Sequence, residues 1–485
     1  MNKTKRNIFF QTFCQLFNIL IPFLVSPYLT RTLGAEMLGI YSYRLSLVSY
    51  FTLFAMQGML NYGTKKIAEN STDPEAQERV FYHLAFIQSV IGAIVTVVYV
   101  IFALFVFDRD TISMIMCLNV ICCMFDFHWF LYGKEDFHIS TIVNMIVRLT
   151  YVISIFLFVK TPNDLNIYAI VMSLTTMVTN LLLLAVIGKK IRFSRFSFPT
   201  FKDARKYIWE NFVLFIPVAA QTVYHVMDKT MLGVLSTYEQ TGYYYNADKL
   251  ISIPISLIAA VCVVLMPRMS ALIYSNENDK KNSIRQTTMQ AIACLSSAFC
   301  FGIIAVAKDF VPLYFGSGFL ECIPIVRMLS VVIILKSVSE GLKTQFLIPQ
   351  DNNICIISSV SIGCVANLLI NLLLIPVMGA KGAVVGTIVA ELVAVLVQLL
   401  FVCTKEKRFK NIFYGFGFVI IGLLMSLIIE LFDRVCYIES LFATILVKVA
   451  IGVSVFASLT LLYCYLTKKY EFSKKILVFL HSKGK

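Results

Sequence analysis

Charged side chains are scarce in this chain. Asp, Glu, Lys and Arg make up only 14% of its 485 residues, well below the roughly 25% of a soluble globular domain, while hydrophobic residues make up 58%. That balance excludes a water-soluble fold. Also missing is any GxxxxGK[ST] loop, so no segment is built to cradle the phosphates of ATP. The 13 cysteines include no CxxC pair and no cysteine/histidine spacing suited to zinc, and even the adjacent Cys122 and Cys123 sit in an apolar run, as reduced core residues do. No metal ligand set and no catalytic constellation emerges. The first apolar run, Ile8 to Leu29, is too long for a signal-peptide core and carries no small-residue cleavage site, so it reads as a retained first span.

What the chain has instead is apolar runs near or above the twenty residues that cross a bilayer. Fourteen occur, at roughly 8–29, 38–60, 81–107, 111–132, 139–159, 165–187, 209–235, 250–274, 284–307, 319–348, 354–377, 382–403, 412–432 and 441–466. The expected fold is an all-α integral membrane protein with about 14 transmembrane helices, in two pseudo-symmetric six-helix halves plus two C-terminal helices. The halves are residues 1–187 and 209–403, joined by a basic linker at 188–208. Residues 404–485 supply a loop, the two extra helices and a basic tail.

With the amino terminus placed in the cytoplasm, that side holds 27 of the 42 lysines and arginines and the opposite loops hold six. The excess of basic residues on one side places both termini and the linker in the cytoplasm. It also accounts for the formal net charge of +14 without a nucleic-acid partner. A weak internal repeat supports the division: Leu33-Gly34 followed by Gly39 and Tyr41 is echoed by Leu232-Gly233, Gly242 and Tyr244, six spans later. Parallel repeats of that kind underlie rocking transporters.

Polar residues inside the spans fall on helical faces. Gln11, Gln15, Asn18 and Pro22 share a face of the first span, and Thr141, Asn144, Arg148 and Tyr151 share a face of the fifth, with Arg148 near its middle. In the seventh, Gln221, Tyr224, His225 and Asp228 line up with Lys229 beside them. His225 and Asp228 are spaced to exchange a proton, although a histidine fixed by a carboxylate for packing explains them equally. Arg44 lies in the second span, and Lys249 and Arg268 near opposite mouths of the eighth. Lys336, Glu340 and Lys343 share a face of the tenth, and Thr387, Glu391 and Gln398 a face of the twelfth. Interhelical hydrogen bonds and salt bridges are the plain reading of such stripes. Counted over the spans alone, nine bases (Arg44, Arg148, Lys229, Lys249, Arg268, Arg327, Lys336, Lys343, Lys448) face six acids (Asp126, Asp228, Asp248, Glu340, Glu391, Glu430). A surplus of positive charge in hydrocarbon favours an anionic cargo over a cationic one.

Pro27-Tyr-Leu-Thr-Arg31-Thr-Leu-Gly34 with Gly39-Ile-Tyr41, Met227-Asp-Lys-Thr-Met-Leu-Gly233 with Gly242-Tyr-Tyr244, Met266-Pro-Arg268, and Ile375-Pro-Val-Met-Gly379-Ala-Lys-Gly-Ala383 resemble the polysaccharide-exporter family of O-antigen and capsule flippases. That family sits within the multidrug/oligosaccharidyl-lipid/polysaccharide exporter superfamily. The resemblance implies alternating access between two six-helix halves in a bacterial plasma (inner) membrane. It implies a cargo of undecaprenyl-diphosphate-linked oligosaccharide moved from the cytoplasmic to the outer leaflet, with membrane lipid, a polysaccharide polymerase and a chain-length regulator as partners. On that reading Arg44, Arg148, Lys229, Lys249, Arg268 and Lys343 meet the diphosphate, since anionic oxygens call for guanidinium or ammonium donors. Gln15, Asn18, Asn144, Gln221 and Tyr224 meet the sugars. His225, Asp228, Glu340 and Glu391 are the groups through which H+ or Na+ would couple, and no cofactor is expected. An ion-coupled multidrug antiporter of the same fold is the nearest rival. A membrane-embedded polymerase or glycosyltransferase is a further one, disfavoured because the outer connections are too short for a catalytic loop.

Overall fold

Gly34 decides how the chain re-enters the membrane. Pro22 and Pro27 already deprive the first helix of two backbone donors, and Gly34 then adopts φ 77°, ψ 176°, a conformation cheap only for a residue without a Cβ. The long helix α1 (Lys3–Met56) is thereby broken into two limbs. This computed structural model describes residues 3–107, 110–191, 197–274, 278–405, 415–436 and 438–467, with the backbone alone described at 3–19, 217, 273–274, 278–279 and 405. The Gln15 and Asn18 side chains assigned to a sugar site lie outside the described residues.

The helices that follow are α2 (Met59–Glu69), α3 (Pro74–Val106), α4 (Thr111–Cys122), α5 (His128–Gly133), α6 (Phe137–Phe158), α7 (Leu165–Gly188) and α8 (Phe201–Leu235). Then come α9 (Tyr238–Tyr274), α10 (Asn278–Phe315), α11 (Cys322–Leu329), α12 (Val331–Leu342), α13 (Asn353–Met378), α14 (Ala380–Lys405), α15 (Phe416–Val435) and α16 (Leu441–Leu466). Among the described residues there is no strand. Eleven helical stretches are long and apolar enough to cross a bilayer. With the two limbs of α1 and the 35-residue α8 they account for the fourteen spans expected, and the protein is an all-α integral membrane protein.

The chain forms two compact units, Met1–Gly242 and Tyr243–Lys485. In the first, α1 packs on α3, α4, α6 and α8, while α7 lies against α4 and α6. Two short helices, α2 and α5, pack on each other; no apolar run announces α2, while α5 closes the run 111–132 after a break at 123–127. Gln57 (φ 44°) and Gly58 (φ 77°) end α1 and start α2. Together α2 and α5 enclose an aromatic core in which Trp129, Phe130 and Leu131 are fully buried, packed with Phe81, Tyr62 and Ile67. Gly63 makes room for the indole, since a Cβ there would fall 2.6 Å from a ring carbon of Trp129. The indole N–H donates to Gln88 Oε1 at 2.9 Å, and the Gln88 amide donates in turn to the carbonyls of Cys123 (2.6 Å) and Asp126 (2.9 Å). The indole N–H and both polar atoms of the Gln88 amide thus have partners, as burial demands.

The repeat noted in the sequence acquires a physical sense at its second glycines. A Cβ on Gly39 would stand 1.7 Å from the Tyr238 carbonyl oxygen, and one on Gly242 1.9 Å from the Ala35 carbonyl oxygen. The two motifs meet each other backbone to backbone. Their first glycines differ. Gly34 breaks a helix, whereas Gly233 stays helical and accommodates the Tyr43 ring.

In the second unit α10 contacts α11, α12, α15 and α16, and α13 and α14 form a tight hairpin turned at Gly379 (φ 56°). The final helix pair is held by charge as well as by packing. Lys448 on α16, 1% exposed, donates to Asp309 of α10 and to Asp433 of α15.

Candidate functional site

The predicted cations differ in what surrounds them. Arg44, on the second limb of α1, donates from Nε to Asp110 Oδ2 at 3.0 Å, and its guanidinium lies 3.7 Å above the Phe107 ring centroid. Its Nη1 is buried with no hydrogen-bond partner. Stacking and a carboxylate fix that side chain at the edge of the first unit rather than leaving it for a ligand alone. Arg148 is half-buried on α6, near Asn144, whose amide donates to the Ser140 carbonyl at 2.9 Å. The α8 face resolves into two parts. Gln221 and His225 are exposed, with the Tyr224 ring 5.7 Å from the imidazole, while Asp228 is buried and Lys229 half-buried. One turn beyond Val226, Thr230 donates to Ser46 Oγ (2.9 Å) and Tyr50 Oη (3.3 Å) of α1. The single-face pattern is therefore real as a helical register but divides by burial.

In the second unit, Lys343 lies 3.7 Å from Glu340 and Lys336 3.5 Å from Glu391, so two of the expected coupling carboxylates have lysines beside them. Lys343 opens a π-helical turn, Lys343–Leu347, a widened segment that in helices often marks a functional position. Arg268 is exposed and Lys249 is half-buried. No carboxylate lies within 4.0 Å of the Lys249 ammonium among the described residues, and its nearest aromatic face is Tyr245, 5.9 Å away. A ladder of buried amides and hydroxyls runs through α12, α13 and α14. Ser339 donates to Gln398 (3.1 Å), Gln398 to Ser359 (3.0 Å) and Asn371 to Asn367 (3.0 Å), and the Tyr244 and Thr387 hydroxyls share a bond of 2.9 Å. No group of three or more His, Cys, Asp or Glu is arranged to hold a metal among the described residues.

The charge ledger read from apolar runs needs correction. Asp110, Asp309 and Asp433 fall in loops by hydropathy, yet they bond cations counted within the spans, so six acids become nine. Arg285, at the start of the run 284–307 but counted with the loop before it, is 3% exposed, donating to the Gln345 carbonyl at 3.0 Å and stacked 4.3 Å from the Phe346 centroid, so nine bases become ten. With Glu210 and Glu321, which also lie within the runs 209–235 and 319–348, the positive surplus disappears. The physical reason is that α10 and α15 run past the apolar windows, to Phe315 and Val435, with Asp309 and Asp433 in those extra turns, while Asp110 caps the start of α4. For Lys448, no local spacing points to Asp309, 139 residues away. For Arg285, the shared face with Met289 and Ile292, both buried, was the available signal.

These helices, with ion pairs and amides in their interior, define a multi-pass α-helical membrane protein. Residues 4–273 match the family described as polysaccharide biosynthesis protein, and the chain belongs to it. It is 22% identical over 350 residues, 72% of this chain and 84% of the relative, to a protein of Escherichia coli (strain K12) described as an O-antigen transporter. It is 23% identical over 328 residues, 66% of each chain, to a Haloferax volcanii protein described as the low-salt glycan biosynthesis flippase Agl15. Among solved structures, the lipid II flippase MurJ in an inward closed conformation superposes with a TM-score of 0.72 at 15% identity, over 94% of this chain and 98% of that one. At that identity the likeness establishes the fold.

Proposed function

We propose that this protein is a flippase that moves undecaprenyl-diphosphate-linked oligosaccharide from the cytoplasmic to the outer leaflet of the plasma membrane by alternating access, with both termini in the cytoplasm. The family, the relatives named for O-antigen and glycan transfer, and the fold all support a lipid-linked oligosaccharide as cargo. The observation that carries the anionic head group is Lys249. It is a half-buried ammonium on a span, with a tyrosine ring near it and no carboxylate in reach among the described residues. Such a charge is costly in hydrocarbon unless an anion or water meets it. A diphosphate supplies that anion, and a cationic drug would compound the cost. The lipid tail stays in the bilayer, so only the head needs a polar route.

Lys249→Ala tests the reading in cells that depend on this protein for surface glycan. Export is expected to fall about tenfold, the loss of one charge-assisted bond, while abundance in the membrane stays normal and Lys249→Arg retains most of the export. Full export by Lys249→Ala at normal abundance would remove Lys249 from the site and with it the basis for a diphosphate.

A further inference from the structure

The opening turns of α8 carry a feature outside the residues assigned to the cargo or to coupling. Lys202, Arg205, Lys206 and Trp209 follow one another at helical steps of three and four, so they share a face, and all four are exposed. Trp209 is 69% exposed, with Phe212 stacked beside it at 6.3 Å; Phe201, the first residue of the helix, is 87% exposed. Beyond them the same side of the helix continues as Val213 and Ile216, both exposed. Read along the helix, the order is cation, aromatic ring, aliphatic chain.

The acids of this segment are turned elsewhere. Asp203 accepts from its own cap residue, Thr200, whose hydroxyl lies 2.6 Å away and holds the carboxyl below the usual carboxylate range. Glu210 is taken by Lys66 at 3.0 Å and by the Tyr62 hydroxyl at 2.8 Å. Tyr207 points inward, its ring 6.1 Å from that of His83. Lys202, Arg205 and Lys206 are left with no carboxylate within 4.0 Å among the described residues, whereas the nearby Lys66 and Lys190 are both ion-paired. Three cations next to an exposed indole, above an aliphatic face, match a phospholipid phosphate, its glycerol region and its acyl chains in that order.

We propose that this face binds the head group of an anionic phospholipid. The inference goes beyond the flippase reading and does not depend on it: the same contacts would form whatever the cargo. Because α8 also carries Tyr224, Asp228 and Lys229, lipid charge bears on a helix that the proposed transport path uses.

The chain supplies its own reporter. It has two tryptophans; Trp129 is fully buried, so lipid-borne quenchers reach Trp209 alone. Full-length protein would be reconstituted in phosphatidylcholine vesicles containing equal fractions of phosphatidylglycerol or phosphatidylcholine brominated near the head-group end of the acyl chains. Brominated phosphatidylglycerol is expected to quench Trp209 about threefold more strongly, with the preference fading as salt rises. Trp209→Phe should remove the quenchable emission. Lys202→Ala/Arg205→Ala/Lys206→Ala should abolish the preference, and Lys202→Arg/Arg205→Lys/Lys206→Arg, which keeps every charge, should retain it. Equal quenching by the two lipids in the unaltered protein would overturn the proposal. So would a preference that survives the triple alanine change. A preference abolished by millimolar inorganic phosphate at constant ionic strength would also overturn it, since the site would then take free phosphate rather than lipid.

Discussion

Gln88 shows how one side chain holds a buried region together. It is fully buried, accepts from Trp129 and donates to two main-chain carbonyls, so it joins α3 to the end of α4 and to α5. Gln88→Leu would leave the indole N–H and at least the Asp126 carbonyl unmatched inside an aromatic core. Each such group costs about 1–3 kcal/mol, so a loss of about 2–6 kcal/mol is expected. Thermal unfolding in detergent followed by Trp129 emission, in a Trp209→Phe background, reads it directly. An unchanged midpoint would show that water replaces the amide. The sequence marks Gln88 only as a polar residue in an apolar run. Its role depends on Trp129 arriving from 41 positions away, and that is a fact of packing rather than of pattern.

At the scale of elements, the spans were legible because hydrocarbon thickness imposes a length that composition must respect, and all fourteen apolar runs correspond to helices or limbs of helices. The short α2 was not legible, nor was the break that sets α5 off from α4 within the run 111–132. Helix α2 has 11 residues and α5 six, and their stability comes from Trp129 and Ile67 packing against glycines, not from a long periodic face. The ends of helices were the other blind spot. Asp309 and Asp433 sit just past the predicted span limits, and so the clamp on Lys448 was missed. Removing the ammonium alone would strand two carboxylates, which typically costs about 3–5 kcal/mol. Lys448→Met is therefore expected to expose α15 and α16 to protease and lower the unfolding midpoint. Adding Asp309→Asn and Asp433→Asn to that change should recover most of the loss. If the triple variant is as weak as the single one, packing rather than charge holds the pair.

For the whole molecule, the cations expected to face one cargo lie in different surroundings: Arg44 paired and stacked, Lys343 beside a glutamate, Lys249 with no carboxylate within 4.0 Å among the described residues. Register on each helix could be read from spacing; pairing between helices could not, because it joins residues far apart in the chain. Asp228, buried on α8, is the carboxylate whose loss should be felt in energy coupling. In vesicles carrying the protein, movement of lipid-linked oligosaccharide is expected to respond to a proton or sodium gradient, and Asp228→Asn to blunt that response at normal protein levels. A mutant with the same gradient dependence would exclude Asp228 from coupling.

Where Gly39 and Gly242 face each other, the chain tolerates no substituent on either partner. Such a junction has no interlocking branches to catch or release, and the two positions are tied as a single inherited trait.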